Sequence, residues 1–292
     1  PQVLLLDEPL GAPSAIPLFF VSRLAREQVK VVQSGEGADE LFGGYPYYQE
    51  CLAFAPYMMV PAPARRALAA AARHLPEGTH GRRFLMRGAH PLPERYIRLE
   101  YNFPWAEALD LLAPELGARC AAAPTPWELA APLFAEIEAD EITAMQTADI
   151  LTWMQQDILL KADKMSMTSS LELRVPFLDR EVFALASTLP VYQRVGRRET
   201  KIALRAAAAR TLPQATAAMP KQGFVTPLAQ WLREDPWREQ VHEVLNSERA
   251  RRFFRTDRLN ALLDEHQRGP RSHMKKIWSA YCFLIWHEQY FG

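Results

Sequence analysis

The sequence predicts an α/β fold: a parallel sheet flanked by helices, followed by a mostly helical C-terminal part. Two observations carry this. Within the first 35 residues, a short apolar run (3–6), a helix-periodic segment (15–27) and a β-branched run (29–33) fit the length of a βαβ unit. After Tyr48 the pattern changes to helices broken by proline-rich connections.

Each element has a local reason. Residues 3–6 are apolar and closed by Asp7, Glu8 and Pro9, as in a buried strand that ends in a turn. In 15–27, Ile16, Phe19, Phe20, Arg23 and Leu24 fit a helix with Pro17 in its first turn. The second run stops at Ser34 and Gly35, and ligands of parallel sheets bind beyond such strand ends. From 56 to 98, eight arginines face two glutamates; the segment reads as a solvated helical face or, less simply, as a phosphate-neutralising one. Pro124 and Pro126 read as a connector before an acidic stretch, 128–140. From 142 to 165 the spacing of Leu151, Met154, Ile158 and Met165 predicts one long helix with a buried face. Residues 171–178 read as a loop entering a helix near 182–187, and another helix is expected over 199–212, with Lys201 and Arg205 on one face. The apolar last thirty residues predict a helix that closes the core.

Composition excludes several classes. The 34 basic and 34 acidic side chains cancel, which argues against affinity built on neutralising a nucleic-acid backbone. Cys51, Cys120 and Cys282 form an odd set without CxxC spacing, so neither a disulfide framework nor a thiolate zinc site is expected, and the reducing cytoplasm is the natural compartment. The longest uncharged stretches, 10–22 and 52–64, contain proline and fall short of the roughly 18 residues that span a bilayer, so no membrane association is expected. The strings GxxxxGK[ST], GxSxG and HExxH are absent, and GxGxxG does not follow a strand.

The distinctive string is VVQSGEGADELFGGY, residues 31–45. A strand delivers the chain to a turn in which Gly35 and Gly37 remove two Cβ atoms, letting backbone amides approach a ligand. The Ser34 hydroxyl and those amides can donate to an anion. Glu36, Asp39 and Glu40 put three carboxylates within five residues, which suits Mg²⁺ carried on a nucleotide, because that ion takes one or two protein carboxylates plus phosphate oxygens and water. Spacing alone is equally compatible with a glycine turn and an acid-rich first helical turn. Lys161, Asp163 and Lys164, and Lys221 in a glycine turn, either face a pocket or cap the surface.

Taken together, SGEGADELFGGY (34–45), DILLKADKMSMTSSLELRVPFLD (157–179), TKIALR (200–205) and PKQGFVTPLAQWL (220–232) resemble, in order, the synthetase domain of bacterial glutamine-hydrolysing asparagine synthetases. The likeness covers nearly the whole chain. It implies an ATP pyrophosphatase-like fold, with residues 1–50 as the end of the nucleotide-binding sheet, whose N-terminal part is missing, and 51–292 as a helical remainder that completes the active site. It implies that aspartate attacks MgATP to give β-aspartyl-AMP, from which ammonia derived from glutamine displaces AMP. By the resemblance, Ser34 and Gly35 contact the nucleotide, Glu36 supports acyl-adenylate formation, Asp39 holds Mg²⁺, and Lys201 stabilises charge at the reacting centre; Lys161, Asp163 and Lys164 are pocket candidates. Arg174 and Asp179 are expected to be structural.

The departures are as informative. Nothing resembles the family's N-terminal glutaminase domain, and the SGGxDS pyrophosphate loop does not occur. Position 1 is Pro. The expectation is a fragment that has little activity alone and partners the missing N-terminal part; a homodimer is compatible with the sequence. The same motifs would serve a related amidotransferase or a β-lactam synthetase-like enzyme adenylating another carboxylate, and a non-catalytic remnant is the third reading.

Overall fold

A computed structural model describes residues 6–76, 78–97, 103–220, 223 and 226–292. It is mostly helical around a small parallel sheet. Helix α1 (Ala15–Arg26) buries Ala15, Leu18 and Ser22 and ends with Arg23 and Arg26, whose charges suit the negative end of the helix dipole. Strand β1 (Val31–Gln33) pairs in parallel with β2 (Glu172–Arg174), in the register Val31 with Glu172, Val32 with Leu173 and Gln33 with Arg174. The ladder continues into the next turn, where the Ser34 amide donates to the Arg174 carbonyl at 2.8 Å. The run expected over 29–33 is thus shortened to three residues, and residues 172–174, read as loop, are a strand. A strand of three residues with polar ends carries no periodic signal, and pairing to β1 across some 140 positions of sequence supplies what the local pattern lacks. Of the first expected strand, residues 3–5 lie outside the described residues; Leu6 is buried against α1 and Met165.

Helices α2 (Ala38–Phe42) and α3 (Pro46–Met58) follow β1. The helix expected over 142–165 is broken: an α-helix Glu141–Leu151, a π-turn Met154–Leu159 and an α-helix Leu160–Met167 replace it. Thr152 leaves helical geometry at φ −124°, and its hydroxyl donates to the Ala148 carbonyl, a back-bond that competes with the helix ladder. The wider turn rephases the face, so Met154, Asp157 and Met165 are buried while Leu151, expected inside, is 46% exposed. The helix expected over 199–212 forms only over Ile202–Ala208.

The arginine-rich segment is held mostly by the protein itself. Arg65 donates to the Val60 and Gly88 carbonyls, Arg82 to the Ala72 carbonyl, Arg87 pairs with Glu50 and Arg95 with Glu141. Arg66, Arg73 and Arg83 are exposed. Thr125 forms a capping box with Glu128 and starts the helix Pro126–Ala135, so the connector runs straight into a helix. The C-terminal helix Met274–Phe291 buries Ile277, Ala280 and Leu284 against Leu245, Leu259 and Leu263, closing the largest core as its apolar pattern predicts. Among the described residues no helix is long and apolar enough to cross a membrane.

Candidate active site

The loop after β1 starts a short helix at a sharp bend. Gly37 adopts φ +86°, a left-handed conformation that glycine takes without cost, and a Cβ there would run into Leu178. Gly35 is different: a Cβ on it would meet open space. Gly37 therefore serves the turn and its packing, while Gly35 leaves open space on the exposed side of the loop. The Glu36 amide lies 3.4 Å from the Ser34 hydroxyl oxygen, which accepts from it and steadies the turn.

The three carboxylates separate into distinct environments. Glu40 is 1% exposed and accepts from the Tyr45 hydroxyl at 2.5 Å, which ties it into the interior. Asp39 lies 3.1 Å from the Lys201 ammonium, both about four-fifths buried. Glu36 is half-buried, and burial pushes its pKa up; the Lys161 charge opposes that shift, while Glu40 and Asp39 reinforce it. A nucleotide-borne Mg²⁺ fits this donor set. The described residues contain no cluster of three or more His, Cys, Asp or Glu that could hold a metal alone, and Asp39 offers the single carboxylate that such an ion needs when phosphate and water fill its other positions.

Lys201 is held in an unusual way. It sits at the N-terminus of the helix Ile202–Ala208 with φ +55°, one of two non-glycine residues with positive φ among those described. Such a conformation costs roughly 1 kcal/mol or more and collects at functional positions. Gly44 makes the approach feasible, because a Cβ there would overlap both the Asp39 carboxylate and the Lys201 side chain.

The other pocket candidates divide. Lys161 is 6% exposed and pairs at 2.9 Å with Asp157, one helical turn earlier across the π-turn. Asp163 is exposed, and Lys164 reaches Asp7 at 2.5 Å instead of the loop. Lys221 lies outside the described residues. Asp179 caps the helix Arg180–Thr188 by accepting from the Glu181 amide, and Arg174 pairs with Glu172 on the exposed side of β2, so neither reaches the loop as a ligand group.

One constellation goes beyond the motif reading. Asp149, 2% exposed, accepts from the hydroxyls of Tyr47 (2.9 Å) and Tyr96 (2.6 Å) and from that of Tyr48. Burial lifts its pKa to about 6 against the opposing effect of the three phenols. It lines a cavity of about 350 Å³ together with Tyr47, Tyr96, Trp153, Gln156 and Asp157. Asp157 joins this cavity to Lys161, and Lys161 to Glu36. The adjacency of Tyr47 and Tyr48 was the available sequence signal; their common partner about a hundred residues later was not. The three cysteines are free, and burial raises the Cys51 thiol to about 12, so it is inert.

Comparison with known proteins identifies the family. The family model described as asparagine synthase matches residues 1–288. A putative asparagine synthetase [glutamine-hydrolyzing] of Mycobacterium tuberculosis is 42% identical over 97% of this chain, which covers 43% of that relative. Asparagine synthetase [glutamine-hydrolyzing] 1 of Bacillus subtilis is 39% identical over 97% of this chain, which covers 44% of it. The chain thus spans less than half the length of the relatives it matches, and by its sequence over nearly its full length it belongs to the asparagine synthase family.

Proposed function

We propose that this chain carries part of the acyl-adenylate site of an ATP-dependent, glutamine-hydrolysing asparagine synthetase. The observation that supports the reading most strongly is the convergence of Glu36, Asp39 and Lys201 at the carboxyl end of a parallel strand, where Gly35 opens on free space. The names of the two relatives point the same way.

In this reading the side-chain carboxylate of aspartate attacks the α-phosphorus of ATP. A new O–P bond forms as the bond to pyrophosphate breaks, giving β-aspartyl-AMP. The lone pair of ammonia then attacks the acyl carbon, AMP leaves with the C–O bonding electrons, and the surplus proton goes to solvent or a nearby base. Ser34 and the amides around Gly35 donate to phosphate oxygens. Glu36, whose burial favours its protonated form, stands beside Lys161, so its charge is set by the pocket and not by bulk water. Lys201 supplies a fixed ammonium where negative charge develops, and Asp39 orients that ammonium. Asp39 would also hold the Mg²⁺, which supplies charge neutralisation for the pyrophosphate leaving group.

Ammonia from glutamine and the SGGxDS phosphate loop would come from a part of the protein outside these 292 residues, so the chain alone is expected to be nearly inactive. Three free cysteines suit a reducing cytoplasm. The test is aspartate-dependent ATP–pyrophosphate exchange by the chain joined to the portion of the Bacillus subtilis relative that it does not span. Exchange with aspartate supports the reading; exchange with another carboxylic acid and none with aspartate would replace it with a related amide-forming activity.

A further inference from the structure

The cavity beside the π-turn has a chemistry that the loop does not. Its wall joins two phenol rings, Tyr47 and Tyr96, the indole of Trp153, the buried carboxylates of Asp149 and Asp157 and, at the exposed rim, that of Glu8. Asp157 is neutralised by Lys161 at 2.9 Å. Asp149 is not: three phenol hydroxyls orient it, and among the described residues no lysine or arginine pairs with it. Burial makes the charge of a carboxylate held only by neutral donors costly, and a cationic ligand beside it would offset that cost. Aromatic faces attract the same ligand through their quadrupoles. The volume of about 350 Å³ lies at the small end of ligand sites, the scale of a single amino acid.

We propose that this cavity is a subsite for a primary ammonium group, held between Asp149 and the rings of Tyr47, Tyr96 and Trp153, and that it selects the α-ammonium of the acceptor amino acid. The second half of this statement rests on the adenylation reading above; the first does not. Placement supports the link. Asp157 belongs both to the cavity wall and to the pair with Lys161, whose charge Glu36 feels. The proposal puts the ammonium of the acceptor in the cavity and its reacting carboxylate on the side of the Asp157–Lys161 pair, nearer the loop at Ser34. The subsite would give specificity at the adenylation step, because a dicarboxylic acid lacking the ammonium leaves Asp149 uncompensated.

Ligand-observed NMR on the 292-residue chain tests this with three probes: ethylammonium, L-aspartate and succinate. Ethylammonium and L-aspartate are expected to bind, with succinate about tenfold weaker than aspartate or worse, the worth of one charge-assisted contact. Asp149→Asn keeps an acceptor for the phenols and removes the charge, and should weaken both amines about tenfold or more. Should that variant fail to fold, Gln156→Lys decides, since Gln156 is exposed at the cavity wall and a cation there repels the ligand without disturbing the core. Absence of amine binding, succinate binding equal to that of aspartate, or amine binding unchanged in the folded variants would overturn the subsite. Failure of pyrophosphate exchange in the joined protein with amine binding intact would remove the adenylation reading and leave the ammonium site.

Discussion

The Lys201 ammonium lies 3.1 Å from Asp39 although the two residues come from different elements, one at the start of the helix Ile202–Ala208 and the other in the first turn of α2. Lys201 reaches it from a left-handed backbone conformation, past a glycine that leaves the space open. Strain at a lysine that pairs with a single partly exposed carboxylate is poorly explained by stability, since such pairs contribute about 1 kcal/mol or less. It is better explained by a need to hold the ammonium at one place.

Stability and activity should therefore separate at position 201. Lys201→Gly relieves the left-handed strain and is expected to leave the unfolding free energy unchanged or raise it by about 1 kcal/mol. In the joined synthetase, Lys201→Ala should lower kcat by about 10²–10³, the usual loss for one charge-stabilising contact. Urea unfolding of the chain and steady-state kinetics of the joined protein read the two effects independently.

Gly44→Ala should act on the same pair from outside. The added methyl overlaps the Asp39 carboxylate and the Lys201 side chain, the flexible ends of which can move apart. Activity is expected to fall about tenfold or more, as for other small misplacements of a catalytic group, with a far smaller change in melting temperature. A crystal structure of the variant should show the Asp39–Lys201 distance lengthened.

Lys161 and Asp157 form a buried pair, and each protects the other from the cost of an isolated charge. Lys161→Met should destabilise the chain by about 3–5 kcal/mol, and adding Asp157→Leu should recover most of that loss. A double-mutant cycle by urea unfolding measures it; a Lys161→Met variant as stable as the parent would show that water reaches the pair.

Asp149 makes stability depend on pH. Its carboxyl titrates near 3.8 when exposed and near 6 in the fold, so between these values the folded chain binds more protons than the unfolded one. Its contribution to stability is greatest at low pH and is lost as pH rises through about 4 to 6, a change of at most roughly 3 kcal/mol. Asp149→Asn removes this titration. The unfolding free energy of the parent minus that of the variant should fall across that window and stay flat above it.

How much of this was legible in the sequence follows the range of the interactions. The turn at Ser34–Gly37 was visible because glycine and β-branched residues act locally, and the C-terminal helix because its apolar face repeats at helical spacing. Strand β2 was not, since its three residues become a strand only by pairing with β1. The break at Thr152 leaves no mark on the periodicity: the apolar spacing is that of one continuous helix, and a single threonine that can back-bond to Ala148 does not by itself specify a π-turn. At the site, Glu36, Asp39 and Lys201 were named by motif, whereas the enclosure of Asp149 by tyrosines from two separate helices depends on packing that no local pattern encodes.

In the proposed function Glu36, Asp39 and Lys201 stand at one adenylation site. Aspartate-dependent ATP–pyrophosphate exchange, measured on the chain joined to the unspanned portion of its Bacillus subtilis relative, tests it most directly. The expected result is exchange that requires aspartate and falls about 10²-fold or more in each of Glu36→Gln and Lys201→Ala. Exchange at the parent rate in both folded variants would contradict it.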